Sequence, residues 1–431
     1  ENPEAGIDLF LEKLVQETEK EHEDILEQVD ETDAMFGELY SWYLRNPEYR
    51  SRVQKLVQSA FAGKPEDIIS QSVAKALYGE VSPYSATRLE RFAACAFAHF
   101  LQYGMKLTER VEYEFKPMDM GNVMHEALES FAEEVRKRGM KWTELTEQER
   151  NEIADRCLDN IVADYGNTVL KSSARNEYMI ERTRRILRRT VWALQKQLEQ
   201  GEFQPEGFEV TFGGGRIDRV DIMEDQNKVY VKVIDYKTGN TSFDLVYLYH
   251  GLQLQLMIYL DGALRVEQKK YPDKEIIPAG VFYYNIKDPM IQEKIDADVE
   301  AVSAGLMKEL KMNGLVQADP ELVYRMDSSL GSIPVAFNKD GSFRKNSSVA
   351  DRTQFAVLGR YVRTKIEKIR SSILEGDAEV SPYELGKKNA CTYCPYMTVC
   401  GFDRRLSGYE FRRLKNFSDE ELWKAFDREA E

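Results

Sequence analysis

The 431-residue chain predicts an α/β domain with a mixed sheet flanked by helices, with mainly helical additions at both ends. Three observations predict this. The apolar period changes from about 3.6 to 2 between the helices that end near 200 and the strand at Phe208, and back after Tyr236. The segment Ala279-Gly-Val-Phe-Tyr-Tyr-Asn-Ile286 is apolar enough for a strand buried on both faces. Helix and strand segments are then interleaved in the order that packs helices onto a sheet.

In chain order, residues 1 to about 80 read as helices, with Leu9, Phe10, Leu14, Ile25 and Val29 at helical spacing among Glu and Lys. Ser85 or Thr87 is placed to cap a helix carrying Leu89, Phe92, Ala93, Ala96 and Phe97, with Cys95 and His99 on it. A helix from Gly121 has Met124, Ala127, Leu128, Phe131 and Val135 as its core face and carries His125. Long polar helices are expected over roughly 145–200. Strands follow at Phe208–Phe212, Arg216–Met223 and Val229–Tyr236, then a helix through Leu252–Leu260 and the apolar strand ending at Ile286. Residues 290–380 read as mainly helical, with a Gly/Ser/Asn-rich loop around 328–348.

The formal net charge is −15, and charged residues make up 31% of the chain, as in a water-exposed globular protein. No run of eighteen apolar residues is present, so no membrane helix is expected, and the acidic helical opening is unlike a signal peptide. There is no internal repeat and no phosphate loop of the G-x-x-x-x-G-K-[ST] type, which excludes ATP hydrolysis by that route. The basic stretch Arg182-Thr-Arg184-Arg185-Ile-Leu-Arg188-Arg189 is open to two readings, a solvated face paired to acids or a face that tracks phosphates.

The chemistry concentrates in Gly215-Arg-Ile-Asp218-Arg-Val-Asp221 and Val233-Ile-Asp235-Tyr-Lys237-Thr-Gly239. Residues two apart on a strand share a face, so Asp235 and Lys237 project together while Tyr236 points away. A short hairpin brings Asp218 beside them. Charges on strands as apolar as these call for compensation, such as a metal ion. Asp218 and Asp235, with the Tyr236 carbonyl, suit Mg2+ or Mn2+, and Lys237 suits orientation of an attacking water or stabilisation of phosphoryl charge. Asp221 is assigned to a supporting or surface position. Taken alone, the pair is a generic signal for a metal-dependent nuclease; taken alone, His125, Gln255 and Tyr259 are ordinary helix residues.

As an ordered set, Gly121-x-x-x-His125, Gly-x-x-Asp218, Asp235-Tyr-Lys237 and Gln255-x-x-x-Tyr259 resemble the RecB-type branch of the PD-(D/E)XK nucleases, over roughly residues 85–400. The resemblance implies a restriction-endonuclease-like core. It makes His125 a further metal ligand and gives Gln255 and Tyr259 the support of the site and its DNA. The turn Phe212-Gly-Gly-Gly215-Arg216 is shorter than that family's usual hairpin.

Five cysteines stand at 95, 157, 391, 394 and 400. Cys391-x-x-Cys394-x5-Cys400 supplies three thiolates from one loop and Cys95 can supply a fourth, a pattern that by spacing fits structural zinc. Cys157 reads as a packing residue in a helix. One cysteine before the nuclease core and three after it resemble the AddB group of RecB-type nucleases and the nucleases of CRISPR spacer acquisition. That resemblance implies a 4Fe–4S cluster on Cys95, Cys391, Cys394 and Cys400, acting as a staple.

The expected organisation is a helical segment over 1–82 that ends a preceding helicase-like domain, a nuclease domain over 83–405 and a helical tail over 406–431. The expected function is a Mg2+-dependent DNA exonuclease subunit, paired with an AddA-like helicase–nuclease subunit in the bacterial cytoplasm, that resects broken duplex ends for recombinational repair and cuts the 5′-terminated strand. The alternatives are a free-standing 4Fe–4S exonuclease and a scaffold subunit with a dead nuclease site. The first residue, Glu1, points to a piece of a longer polypeptide.

Overall fold

The computed structural model describes residues 31–60, 68–79, 85–108, 117–164, 173–213, 215–291, 298–406 and 408–430. The helical reading of Leu9 to Val29 lies outside these residues. Among the described residues, no helix is long and apolar enough to cross a membrane.

The helices are α1 (Glu31–Arg45), α2 (Arg50–Ala60), α3 (Gln71–Tyr78), α4 (Ala86–Ala94), α5 (Ala96–His99), α6 (Pro117–Lys137), α7 (Glu147–Asp164) and α8 (Ala174–Glu199). Strands β1 (Gln204–Phe212), β2 (Gly215–Asp225) and β3 (Lys228–Lys237) form an antiparallel meander. Two helices, α9 (Leu245–Tyr249) and α10 (Gln255–Lys270), then cross over to β4 (Glu275–Asn285), which runs parallel to β3. After α11 (Val299–Glu309) come β5 (Asn313–Gln317), α12 (Pro320–Met326), β6 (Val349–Ala350) and the long α13 (Arg352–Glu375). The six strands lie in sequence order, with β4–β5 antiparallel and β5–β6 parallel, so the sheet is mixed.

Apolar alternation on the central strands sets two cores. Ala279, Phe282 and Tyr284 of β4 face a core built with α6, α7 and α8. Val281 and Tyr283 face the opposite core, built with α4, α10, α13 and α15 (Asp419–Ala430). This double burial explains the uninterrupted apolar run of β4. A small sheet, β7 (Tyr383–Leu385), β8 (Lys388–Asn389) and β9 (Arg412–Arg413), supports the cysteine loop, followed by the short α14 (Met397–Cys400).

Two local expectations are corrected. The segment 290–380 is not only helical, because β5 and β6 extend the sheet; at five and two residues they are too short to show a period. Gly314 lets β5 close on β4, since a Cβ there would lie 1.9 Å from the Val281 carbonyl oxygen. The helix capped by Ser85 also does not run through Cys95. Its Oγ accepts from Arg88 N at 3.4 Å, but Cys95 is extended (φ −166°, ψ 119°) and separates α4 from α5, which carries His99. An unbroken helix would leave the Cys95 thiol among the side chains of its own turn; the break turns it toward the loop carrying the other three cysteines.

Candidate active site

The site forms where β2 and β3 stop pairing. Their ladder runs from Asp225↔Lys228 to Arg219↔Ile234, and the next pair would be Asp218 with Asp235. There the Asp218 carboxylate replaces a main-chain partner: Oδ2 accepts from Tyr236 N at 2.7 Å. Ile217 and Val220 fall in the same core although they are three apart, which a regular strand does not allow, so β2 is irregular at Asp218.

Helix α6 lays His125 over this opening, brought close by Gly121, whose missing side chain would sit 3.3 Å from Thr238 Oγ1. His125 Nε2 lies 3.1 Å from the Tyr236 carbonyl oxygen, and Nδ1 lies 3.4 Å from Asp218 and 3.9 Å from Glu209. Burial alone would lower the imidazole, but hydrogen bonds to Asp218 and Glu209 override it and raise the group to about 10. Both ring nitrogens then act as donors, and the imidazolium balances the carboxylates.

Glu209 was missed by sequence reasoning. It lies on β1, paired by register across from Asp218, between Phe208↔Arg219 and Val210↔Ile217. It is a non-glycine residue at φ 49°, a strained conformation that concentrates at functional sites. Its carboxylate also pairs with Arg216. The signal was the glycine turn: pairing of Phe212 with Gly215 sets the register that opposes Glu209 to Asp218. Ligand atoms of His125, Glu209 and Asp218 all lie within 4.8 Å of one another.

Asp235 completes the acidic wall. It is 1% exposed, and Lys237 Nζ lies 2.7 Å from its Oδ2, yet that oxygen makes no hydrogen bond of acceptable geometry. Burial, then the charge of Asp218, push it up to about 7 against the lowering effect of Lys237. Lys237 is fixed on its other side by Gln255 Oε1 at 2.7 Å, and Gln255 Nε2 donates to Tyr259 Oη at 2.9 Å. The i, i+4 spacing on α10 thus makes a relay from Tyr259 to the ammonium.

A second residue not foreseen is Glu90 on α4, which holds α10 in place. Its Oε1 accepts from Leu254 N at 2.7 Å and Gln255 N at 2.9 Å. Burial raises it from an ordinary 4.5 to about 7, opposed by these two N–H groups and by Lys237. The folded form therefore binds this proton more tightly than the unfolded chain, so stability falls as pH rises from 4.5 to about 7. Glu90→Gln keeps the acceptor without the charge and is expected to melt higher than wild type at pH 8, with a flatter profile between 4.5 and 7. Glu90→Ala leaves two N–H groups unpaired and is expected to lose about 1–3 kcal/mol below pH 4.5, with the deficit relative to wild type shrinking as pH rises toward 7. Thermal melts across this range check both; a Gln variant that tracks wild type would reject the charge cost.

The cysteine loop is seated by Asn389, whose Oδ1 accepts from Cys391 N and Thr392 N. Tyr396 donates to the Leu107 carbonyl at 3.0 Å and packs with Cys95. The Cys391 thiol is pushed up to about 12 by burial and then by Cys95, Cys394 and Cys400, which places all four thiols in one neighbourhood. Burial pushes the Cys95 thiol up, opposed in part by the N–H groups of Ala98, Ser381 and Phe97. Cys157 is buried among α6, α7 and α8, away from this loop.

One assignment changes, and one open reading narrows. Asp221 is neither at the surface nor beside the metal-ligand candidates: it is 0% exposed and clamped by Arg219 at 2.6 Å and Lys232 at 3.1 Å. Residues 219, 221 and 223 face the α6–α8 side, so Asp221 neutralises two buried cations there. The arginines of α8 meet acids: Arg184 pairs with Asp159, Arg188 with Asp155 and Arg185 with Asp288. The solvated, acid-paired reading of that stretch is the one the contacts favour.

Comparison with known proteins places this geometry. A family profile described as the PD-(D/E)XK nuclease superfamily matches residues 83–401. Among curated proteins, the chain is similar to the AddB subunit of the ATP-dependent helicase/deoxyribonuclease of Lachnoclostridium phytofermentans, at 41% identity over 93% of this chain and 36% of that protein. It is also similar to proteins of the same name from Thermoanaerobacter sp., at 34% over 93% of this chain and 37% of the relative, and Alkaliphilus metalliredigens, at 34% over 95% and 38%. The chain spans little more than a third of the length of these relatives. With the profile covering most of its length and a mixed six-stranded sheet beneath the site, the chain belongs to the PD-(D/E)XK nuclease superfamily.

Proposed function

We propose that this chain is the nuclease portion of an AddB-like subunit, a Mg2+-dependent deoxyribonuclease that cuts single strands unwound from a broken duplex end, the 5′-terminated strand in particular. The observation that carries the reading is the junction of β2 and β3, where His125, Glu209, Asp218 and Asp235 face one another beside Lys237. The names of the relatives, each a subunit of an ATP-dependent helicase/deoxyribonuclease, support a setting in which a partner AddA-like subunit would supply ATP-driven unwinding and the product would feed recombinational repair.

The residues fit a hard divalent cation. The donor set is one imidazole, the carboxylates of Glu209 and Asp218 and the Tyr236 carbonyl, with Asp235 beside Lys237 at the same opening. His125, Asp218, Glu209, Asp235 and the Tyr236 carbonyl would hold Mg2+ or Mn2+, which supplies charge to the scissile phosphate and acidifies a bound water. Lys237, fixed between Asp235 and Gln255, points a rigid ammonium at the phosphoryl oxygens or the attacking water. Tyr259 and Gln255 keep that ammonium from swinging out, and Glu90 sets the start of the helix that carries them. Cys95, Cys391, Cys394 and Cys400 would hold a 4Fe–4S cluster, which supplies a covalent tie between the two ends of the domain.

The test is cleavage of single-stranded DNA labelled at either end, in Mg2+ and in chelator, with the absorbance spectrum of the same preparation. Short 5′-labelled products in Mg2+ alone, from a brown protein, are expected; metal-independent cleavage or a colourless active protein would overturn the corresponding part. Metal binding must also displace the protons held by Asp235, at about 7, and His125, at about 10. The Mg2+ concentration for half-maximal cleavage is therefore expected to rise more than about tenfold from pH 8 to pH 6. A constant requirement would remove both side chains from the metal site.

A further inference from the structure

Beside the active site runs a groove, with a volume of about 530 Å³, between α10 and α13 and closed at one end by the tip of β1. Its floor is apolar, from Leu89, Met257 and Val362. Its rims carry Arg265 and Lys269 from α10 and Arg363 and Arg370 from α13, with Asp261 the one carboxylate among the described lining residues and Glu367 paired with Arg370 at 2.9 Å. Asp261 serves as a tether: it holds Arg265 at 2.7 Å and Arg363 at 2.8 Å, so both guanidinium groups stand fixed across the groove. For a chain of net charge −15 this is a local reversal of sign.

Phe212 joins the groove to the catalytic residues. Its ring lies against Gly262, where a Cβ would come within 2.6 Å of it, so only glycine leaves room. It meets Tyr259 edge-on at 5.9 Å, and Tyr259 bonds the Gln255 that holds Lys237. Phe212 is only half-buried, which leaves an anchored aromatic surface at the mouth of the site. From Tyr259 to Lys269 the helix rises about 15 Å, the length of about four nucleotides at roughly 3.4 Å each.

We propose that this groove seats the single-stranded DNA flanking the scissile phosphate, with a base stacked on Phe212 and successive phosphates met by Arg265, Arg363, Lys269 and Arg370. The charge selects a polyanion, and the aromatic platform selects unpaired bases, since paired bases turn their faces inward. The inference rests on the nuclease reading for the identity of the site next to it.

The test uses the full chain and a labelled oligothymidylate, with binding followed by fluorescence anisotropy in Ca2+ and cleavage in Mg2+. Replacing Arg265, Lys269 and Arg363 together by alanine is expected to weaken binding about tenfold or more and to lower the salt slope by about 2, at roughly 0.7 per lost phosphate contact. The rate at saturating DNA should hold, and melting should match wild type because all three side chains are exposed. Arg182→Ala with Arg185→Ala on α8 controls for loss of charge elsewhere and is expected to change little. Equal binding and salt slope in the groove variant and wild type, or an equal loss in the α8 control, would overturn the groove. Asp235→Ala separates the two proposals: it should bind as wild type does while failing to cut. If it cuts normally and the groove variant still loses affinity, the catalytic assignment fails and the groove stands.

Discussion

Asp235→Ala is expected to cut single-stranded DNA about 10³-fold more slowly than wild type, or worse, while remaining folded. The expectation comes from the balance of forces on this side chain. Asp235 is buried and repelled by Asp218, and these two effects outweigh the Lys237 ammonium 2.7 Å from its Oδ2, so the carboxyl sits well above its ordinary range. Such a group costs folding free energy unless a cation compensates it. In chelator the alanine variant should therefore melt at or above the wild-type temperature, and Mg2+ should no longer raise its midpoint. Single-turnover cleavage and melts with and without Mg2+ check the pair of outcomes. A variant that cuts normally, or that unfolds in chelator, would mean the carboxylate serves the fold and not the reaction.

Cys394→Ser carries the largest expected effect on stability. The proposed cluster would join Cys95 to Cys391 and its neighbours and close a loop of about 300 residues, for which the chain-entropy relation for cross-links gives about 5–6 kcal/mol as an upper guide. That is comparable with the whole stability of a typical domain, about 5–15 kcal/mol. The serine variant is expected to lose the cluster absorbance and to be largely unfolded or aggregated at 37 °C. Soluble yield, absorbance and protease resistance measure this. A soluble, colourless and active serine variant would end the staple assignment.

The elements that could be read from the sequence were those whose burial repeats over many residues. Helix α6 shows its core face through Met124, Ala127, Leu128 and Phe131, and β4 shows double burial through an unbroken apolar run. Elements defined by a neighbour could not be read. Strand β6 is two residues long and exists only because β5 lies beside it. Cys95 breaks its helix for tertiary reasons, although Ala94 and Ala96 on either side favour continuing it. Asp221 carries the same local pattern as Asp218, and its role is set by Arg219 and Lys232, whose burial beside it the sequence does not show. The motif residues could be singled out because chemistry restricts their types and spacing. Glu209 and Glu90 are common acids whose meaning comes from register and from a helix start distant in sequence.

The hydrogen bond from Tyr236 N to Asp218 also has an evolutionary consequence. Asp218 finishes the β2–β3 junction as well as facing the proposed metal position, so its loss harms the sheet whether or not the protein cuts DNA. Asp235 contributes nothing comparable to folding. In a lineage freed from selection for cleavage, drift should erase Asp235 early and keep Asp218, or an asparagine in its place, for much longer. A relative with the first position changed and the second retained would carry the signature of a retired nuclease.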